Sequence, residues 1–262
     1  MATNILFLYN NLFDLATLTE SSEAAGFVAE NTQHPFRTKK WTTEGATAGT
    51  ANLVIDHGSA KAVNCVALID YDWASAPGTF NLEFNATDSW AGPSVTEALT
   101  WKVNPTVNGN RATIIKTFTS HSYQYNRLNV VYSPGATPTD WDLGRIFLGA
   151  YFSPTHTCLE NDSPEFVDES IVMSAPGGQR HVDQRALYRR KRFSFLAETQ
   201  AQWELFQTMI NHVGIHKNLF IAFDYDSESD EQTIYGRFSK ALIATNNLKT
   251  QFRMDFEFEE AV

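Results

Sequence analysis

Near its C-terminus the chain alternates with a period of two. Phe252, Met254, Phe256 and Phe258 fall on one side, and Arg253, Asp255, Glu257 and Glu259 on the other. Only extended chain sends alternate side chains to opposite faces, so this segment reads as a strand with one apolar and one charged face. The apolar face needs cover, and the sequence supplies it upstream. Thr199-Gln-Ala-Gln202 has the form of a capping box. Trp203, Phe206, Met209, Ile210 and Val213 then follow at helical spacing until Gly214 stops the run. Arg192–Leu196 alternates ahead of the helix. Leu219, Ile221, Phe223 and Tyr225 alternate after it, and Gln232–Lys240 reads as a hairpin partner. The C-terminal part is expected to be β-α-β-β-β, a sheet packed on one helix.

Upstream the helical period is absent. Short β-prone runs are separated by clusters of Gly, Pro, Asn and Ser: Ala51–Asp56, Val63–Asp70, Gly78–Phe84, Ala112–Phe118, Asn126–Tyr132 and Asp142–Phe152. That spacing predicts a β-sandwich or jelly roll. The 19 Phe, 9 Tyr and 6 Trp of this 262-residue chain need a core, and they favour β structure. The expected fold class is therefore mostly β, an N-terminal jelly roll followed by a sheet domain with one packed helix.

Charge marks a seam between them. Residues 1–179 carry 9 Lys and Arg against 18 Asp and Glu; residues 180–262 carry 11 against 12. Five acids lie between Glu160 and Glu169, and a basic run from Arg180 to Arg192 follows. The expected division is 1–152 as jelly roll, 153–179 as an acidic linker with Pro and Gly, and 180–262 as an assembly domain. The basic run reads either as a docking strand or as a solvated edge that discourages strand pairing.

Enzyme signatures are missing. The chain has no G-x-S-x-G, no G-x-G-x-x-G, no Walker A and no H-E-x-x-H. His212 and His216 have metal-ligand spacing for a helix, but Gly214 falls between them, so the simpler reading is a helix end followed by a loop. Asp224–Glu231 alternates oxygen-bearing residues as a calcium loop does, yet Ser229 and Tyr235 stand where that loop needs Gly and Glu. It reads as a hairpin tip. The Asp70/Asp72 and Asp140/Asp142 pairs sit at expected strand ends, as solvated loops do. No catalytic residue, metal ligand or cofactor is expected. Cys65 and Cys158 build no disulfide framework. A net charge of −10 argues against stable nucleic-acid binding. No apolar run is long enough for a membrane span and no export signal opens the chain, so synthesis in the cytoplasm without membrane insertion is expected.

The N-terminal order of features resembles the galactose-binding-like, or discoidin-type, jelly roll. The residues that carry this likeness are Leu12-Phe13-Asp14, Trp41, Val54-Ile55-Asp56-His57-Gly58, Val63–Leu68, Thr79–Phe84 and Asn126–Val131. With Leu143–Gly149, the acidic segment, the Arg-rich strand, the Trp-bearing helix and the last strands, the whole layout is similar to tail-tip proteins of long-tailed bacteriophages, of the distal-tail or baseplate type. That resemblance implies a non-enzymatic virion tail protein, made in the host cytoplasm and assembled as a ring, by implication a hexamer, against tail-tube and baseplate-hub proteins. Arg185, Arg189, Arg190, Lys191 and Arg192 on one subunit would meet Asp255, Glu257 and Glu259 on the next. The alternative is a carbohydrate-binding module for a host-surface glycan, in which Trp73 and Trp90 stack on sugar and Asp72 accepts a hydroxyl. A depolymerase would have only the Asp pairs to support it.

Overall fold

The computed structural model describes residues 5–44, 50–71, 79–100, 112–131, 142–154, 165–174, 177–197, 199–223, 225, 233–240, 243–248 and 251–261. The chain divides into two compact units. One is built from residues 10–152 with 226–233; the other from 1–9, 153–225 and 234–262. Both are mostly β.

The first unit is a jelly-roll sandwich built around two long strands. Thr50–Tyr71 and Ala112–Val131 run antiparallel along their whole length. Thr17–Glu20 and Arg145–Gly149 attach to the first of these, and Thr79–Asn85 to the second, with Val95–Ala98 beyond it. Each long strand was expected as two strands separated by a turn. The turn residues instead mark places where the register slips, between Asp56 and Lys61 and between Val63 and Cys65. At the first slip Gly58 adopts φ +69° and its N–H donates to the Asp56 carboxylate. The partner strand beside it holds the chain extended, so the glycine makes an irregularity rather than a reversal. Both halves of the long pair feed one core. Leu53, Ile55, Leu128 and Val130 come from one half, and Val66, Leu68 and Ile114 from the other. Trp41 is fully buried among them and donates its indole N–H to the Ser22 carbonyl.

A buried ion pair closes the far end of this unit. The register slips again between Ile69 and Tyr71, and Asp70 takes φ +60°. Aspartate tolerates that region better than most residues, at about 1–2 kcal/mol. The bulge turns the carboxylate inward, where Arg37 donates Nε and Nη2 to its two oxygens, each at 2.8 Å. Such a bidentate, charge-assisted contact offsets the strain. Gly144 makes room, since a Cβ there would lie 2.7 Å from Asp70 Cβ.

The second unit is a seven-stranded antiparallel sheet. Its order is Leu6–Leu8, Leu219–Ala222, Thr233–Phe238, Gln251–Glu260, Tyr188–Ala197 and Glu165–Val167, and Ile243–Leu248 also pairs with Gln251–Glu260. The first nine residues were expected in the jelly roll, but Leu6–Leu8 is an edge strand here, paired with Leu219–Ala222. The expected linker also contributes. Glu165–Val167 joins the sheet, and Ile171–Ser174 pairs with Arg180–Asp183 in a separate hairpin. Among the described residues four strands follow the helix, one more than expected.

The helix spans Gln200–Val213 as its stripe requires. Thr199 Oγ1 accepts from the Gln202 N–H, and Gly214 ends the helix at φ +56°. Phe206, Met209 and Val213 are buried against the sheet. The core is an aromatic cluster: Phe193 stacks on Phe256 at 5.1 Å, and Phe7 meets Phe195 edge-on at 5.6 Å and Phe206 at 6.2 Å. His212, half of the histidine pair, packs edge-on against Tyr9 at 5.7 Å.

Two outcomes follow from these contacts. Phe7→Ala removes a ring from the centre of the second unit and is expected to destabilise it by about 3–5 kcal/mol. Calorimetry should show this loss while the jelly-roll transition stays in place. On the charged face, the hydrogen bond from Lys240 holds the Glu257 carboxyl below its ordinary 4.5, with Arg192 adding to the effect and burial opposing it. A depressed carboxylate contributes its full stability above the unfolded pKa and loses it as pH falls through the folded one. Thermal melts from pH 7 to pH 3 should therefore show a steeper acid loss for the parent chain than for Glu257→Gln.

Candidate functional site

Alternation gives the jelly-roll sheet an inner and an outer face. Leu53, Phe80, Leu82, Phe84, Leu128 and Val130 point into the core. The residues between them point outward, and the register sets them in rows. Asn52 lies opposite Asn129, which lies opposite Asn81. One step along, Val54, Arg127 and Glu83 form the next row. Three neighbouring strands thus present three carboxamides in line, then a guanidinium beside a carboxylate.

Glu83 is the anchor of this surface. Its Oε2 accepts from Arg127 Nε at 2.8 Å and from Nη2, and its Oε1 accepts from Asn129 Nδ2 at 2.8 Å. The carboxylate is only 5% exposed under these donors. Arg127 is held flat and carries Trp90, with Cζ 4.7 Å from the indole centroid. A guanidinium over an aromatic face is attractive in itself, and pairing with Glu83 fixes its plane.

Trp90 reaches this position through the loop after Asn85. Asn85 Nδ2 donates to the Ser89 carbonyl, and Asn85 Oδ1 accepts from the Ala86 N–H and the Ser94 hydroxyl. The Ser94 N–H donates to the Phe84 carbonyl, returning the chain to the sheet. Trp90 Nε1 donates to Asp88 Oδ1 at 2.7 Å. The indole is therefore fixed at its edge by Asp88 and on one face by Arg127, and it remains half-buried. Nearby, Asn52 Oδ1 is buried without a hydrogen-bond partner. A second such atom among the described residues, Asn126 Nδ2, lies on the inner side, where its own Oδ1 is 2.6 Å from His57 Nε2.

Of the ligand-binding residues expected from sequence, Trp90 stands in this cluster. Asp72 and Trp73 lie outside the described residues, as does most of Asp224–Glu231. Asn52, Asn81, Glu83, Arg127 and Asn129 were not singled out from sequence. Their polar alternation was visible, but only the register shows that they meet.

Some of the residues expected at a subunit interface meet one another inside the chain. Tyr188–Ala197 and Gln251–Glu260 are adjacent strands of one sheet, so the basic and acidic strands need no second subunit to pair. Arg189 contacts Glu260 at 2.9 Å, Arg190 contacts Glu259 at 2.8 Å, and Arg192 contacts Glu257 at 3.3 Å. Asp255 sits 3.0 Å from Arg253. Lys191 points the other way. It is 1% exposed, and its Nζ stands 3.6 Å from the centroid of Phe223. Arg185 is exposed, 3.6 Å from Asp183.

No family model matches the chain, and no curated protein matches it. Solved structures do. Chitosan-binding module 1 from a chitosanase/glucanase of Paenibacillus sp. IK-5 is 23% identical with a TM-score of 0.40, covering 54% of this chain and 99% of that one. A Streptococcus pneumoniae fucose binding module is 11% identical with a TM-score of 0.39, covering 54% and 95%. The lectin domain of lectinolysin, complexed with Lewis B antigen, is 15% identical with a TM-score of 0.39, covering 53% and 95%.

The geometry separates anchor from surface. Glu83→Ala strands Arg127 and is expected to cost about 2–4 kcal/mol. Trp90→Ala removes a half-exposed ring and should cost under about 1 kcal/mol. Urea titrations of the two variants measure the contrast.

Proposed function

We propose that the outer face around Trp90 binds carbohydrate and that the chain is a non-catalytic glycan-recognising protein. The observation that carries this reading is the indole of Trp90, braced over Arg127 beside the Asn52–Asn129–Asn81 row. A sugar ring has an apolar C–H face and a rim of hydroxyls. A fixed aromatic takes the face at little entropic cost, and carboxamides both donate to and accept from the rim.

Binding fits this site better than turnover. Glu83 is fully engaged by Arg127 and Asn129, so it holds no free position for a general acid. The net charge of −10 favours neutral or amino sugars over acidic ones. Arg190, Arg192, Glu257 and Glu259, which the tail-tip reading placed between subunits, engage one another within the chain.

A glycan array carrying neutral, amino and acidic sugars tests the proposal. Binding to neutral or amino glycans is expected, with at least a tenfold loss in Trp90→Ala and in Asn129→Ala, equivalent to about 1.4 kcal/mol or more. Incubation with the bound glycan should release no new reducing ends. A silent array, or full binding by folded Trp90→Ala, overturns the reading.

A further inference from the structure

The hairpin of Ile171–Ser174 and Arg180–Asp183 is unusual in what it leaves uncovered. All eight strand residues are exposed. Val172 lies opposite Val182 on one face, at 59% and 60% exposure, and Ile171 and Met173 are exposed on the other. Two strands alone are marginal in water, and an apolar edge of this kind is a template for another strand. Among the described residues no strand borders the outer edge of Arg180–Asp183.

We infer that this edge pairs with the same edge of a second copy of the chain. The sequence of the strand is self-complementary. In an antiparallel pairing about a two-fold axis, side chains directly opposite each other share a face, so a residue meets another of the same parity. Centring the axis on Val182 sets Val182 against its own counterpart. His181 then lies opposite Asp183 of the other copy, twice over, and Arg180 lies opposite Gln184. The two hairpins become a four-stranded sheet. On one face runs an unbroken row of four valines, Val172 and Val182 from each copy. On the other face the two His181–Asp183 contacts fix the register, as complementary cross-strand pairs do. Among the described residues of one copy, Asp183 meets the exposed Arg185 at 3.6 Å, a contact of little strength. The surface is remote in sequence from Trp90, so dimerisation and glycan binding are separately measurable.

Light scattering and sedimentation of the full chain at about 100 μM provide the test. The expected mass is twice 29.4 kDa, falling to 29.4 kDa in Val182→Lys, which sets two ammonium groups against each other on the axis. Circular dichroism and unchanged melting confirm that this variant is folded. His181→Asp alone opposes two carboxylates, and Asp183→His alone opposes two imidazoles; each should weaken the dimer by about five- to tenfold. The double exchange restores the opposite pairs and should restore the dimer. A monomeric parent chain, or a dimer that survives Val182→Lys, overturns the proposal, and so does a double exchange no tighter than the single ones.

Discussion

The antiparallel pairing of Thr50–Tyr71 with Ala112–Val131 is the constraint from which the rest of the jelly roll follows. Every other strand of its main sheet attaches, directly or through a neighbour, to one of these two. Their register decides which side chains face the core. A slip of one residue would turn Leu128 and Val130 out to water and drive Arg127 and Asn129 inward. The register is therefore held from both sides: by apolar burial underneath, and by the Glu83 contacts above. The binding surface and the core are two readings of a single alignment.

Much of the second unit was legible in the sequence because its signals are local. The period-two run at 252–258, the Thr199 cap, the helical stripe and Gly214 each depend on residues within a few positions, and each appears where it was read. The long central strands of the jelly roll were legible for the same reason, while the short strands Thr17–Glu20 and Val95–Ala98 were not. Continuity was not. His57-Gly58-Ser59 carries turn chemistry, and whether it turns depends on a partner strand some sixty residues away in sequence. The outer-face site was illegible for a related reason. Asn52, Asn81 and Asn129 are ordinary strand asparagines until pairing sets them side by side.

The charged strands show that complementarity read from sequence can be met inside a single chain. The basic and acidic segments do meet, along the pairing of residues 190–197 with 252–259. The chain satisfies them internally because the intervening helix and strands return Gln251–Glu260 to lie beside Tyr188–Ala197. Alternation also removes Lys191 from the charged face, since it lies between two outward arginines. Its aliphatic stem packs inside, and its ammonium rests against Phe223.

The pairing of Leu6–Leu8 with Leu219–Ala222 has a consequence for how the molecule is made. Leu6–Leu8 leaves the ribosome well before its partner Leu219–Ala222, with the whole jelly roll between them. Phe7 belongs to an aromatic cluster otherwise drawn from residues 193–256. Most of the jelly roll can condense during synthesis, because the strand pairings among its described residues need nothing beyond residue 149. The second unit closes only after its strands up to Gln251–Glu260 have been added, and until then the apolar strand Leu6–Leu8 waits without its partner. Closure of that unit therefore trails condensation of the jelly roll, an order set by where the sequence places the partner of Leu6–Leu8.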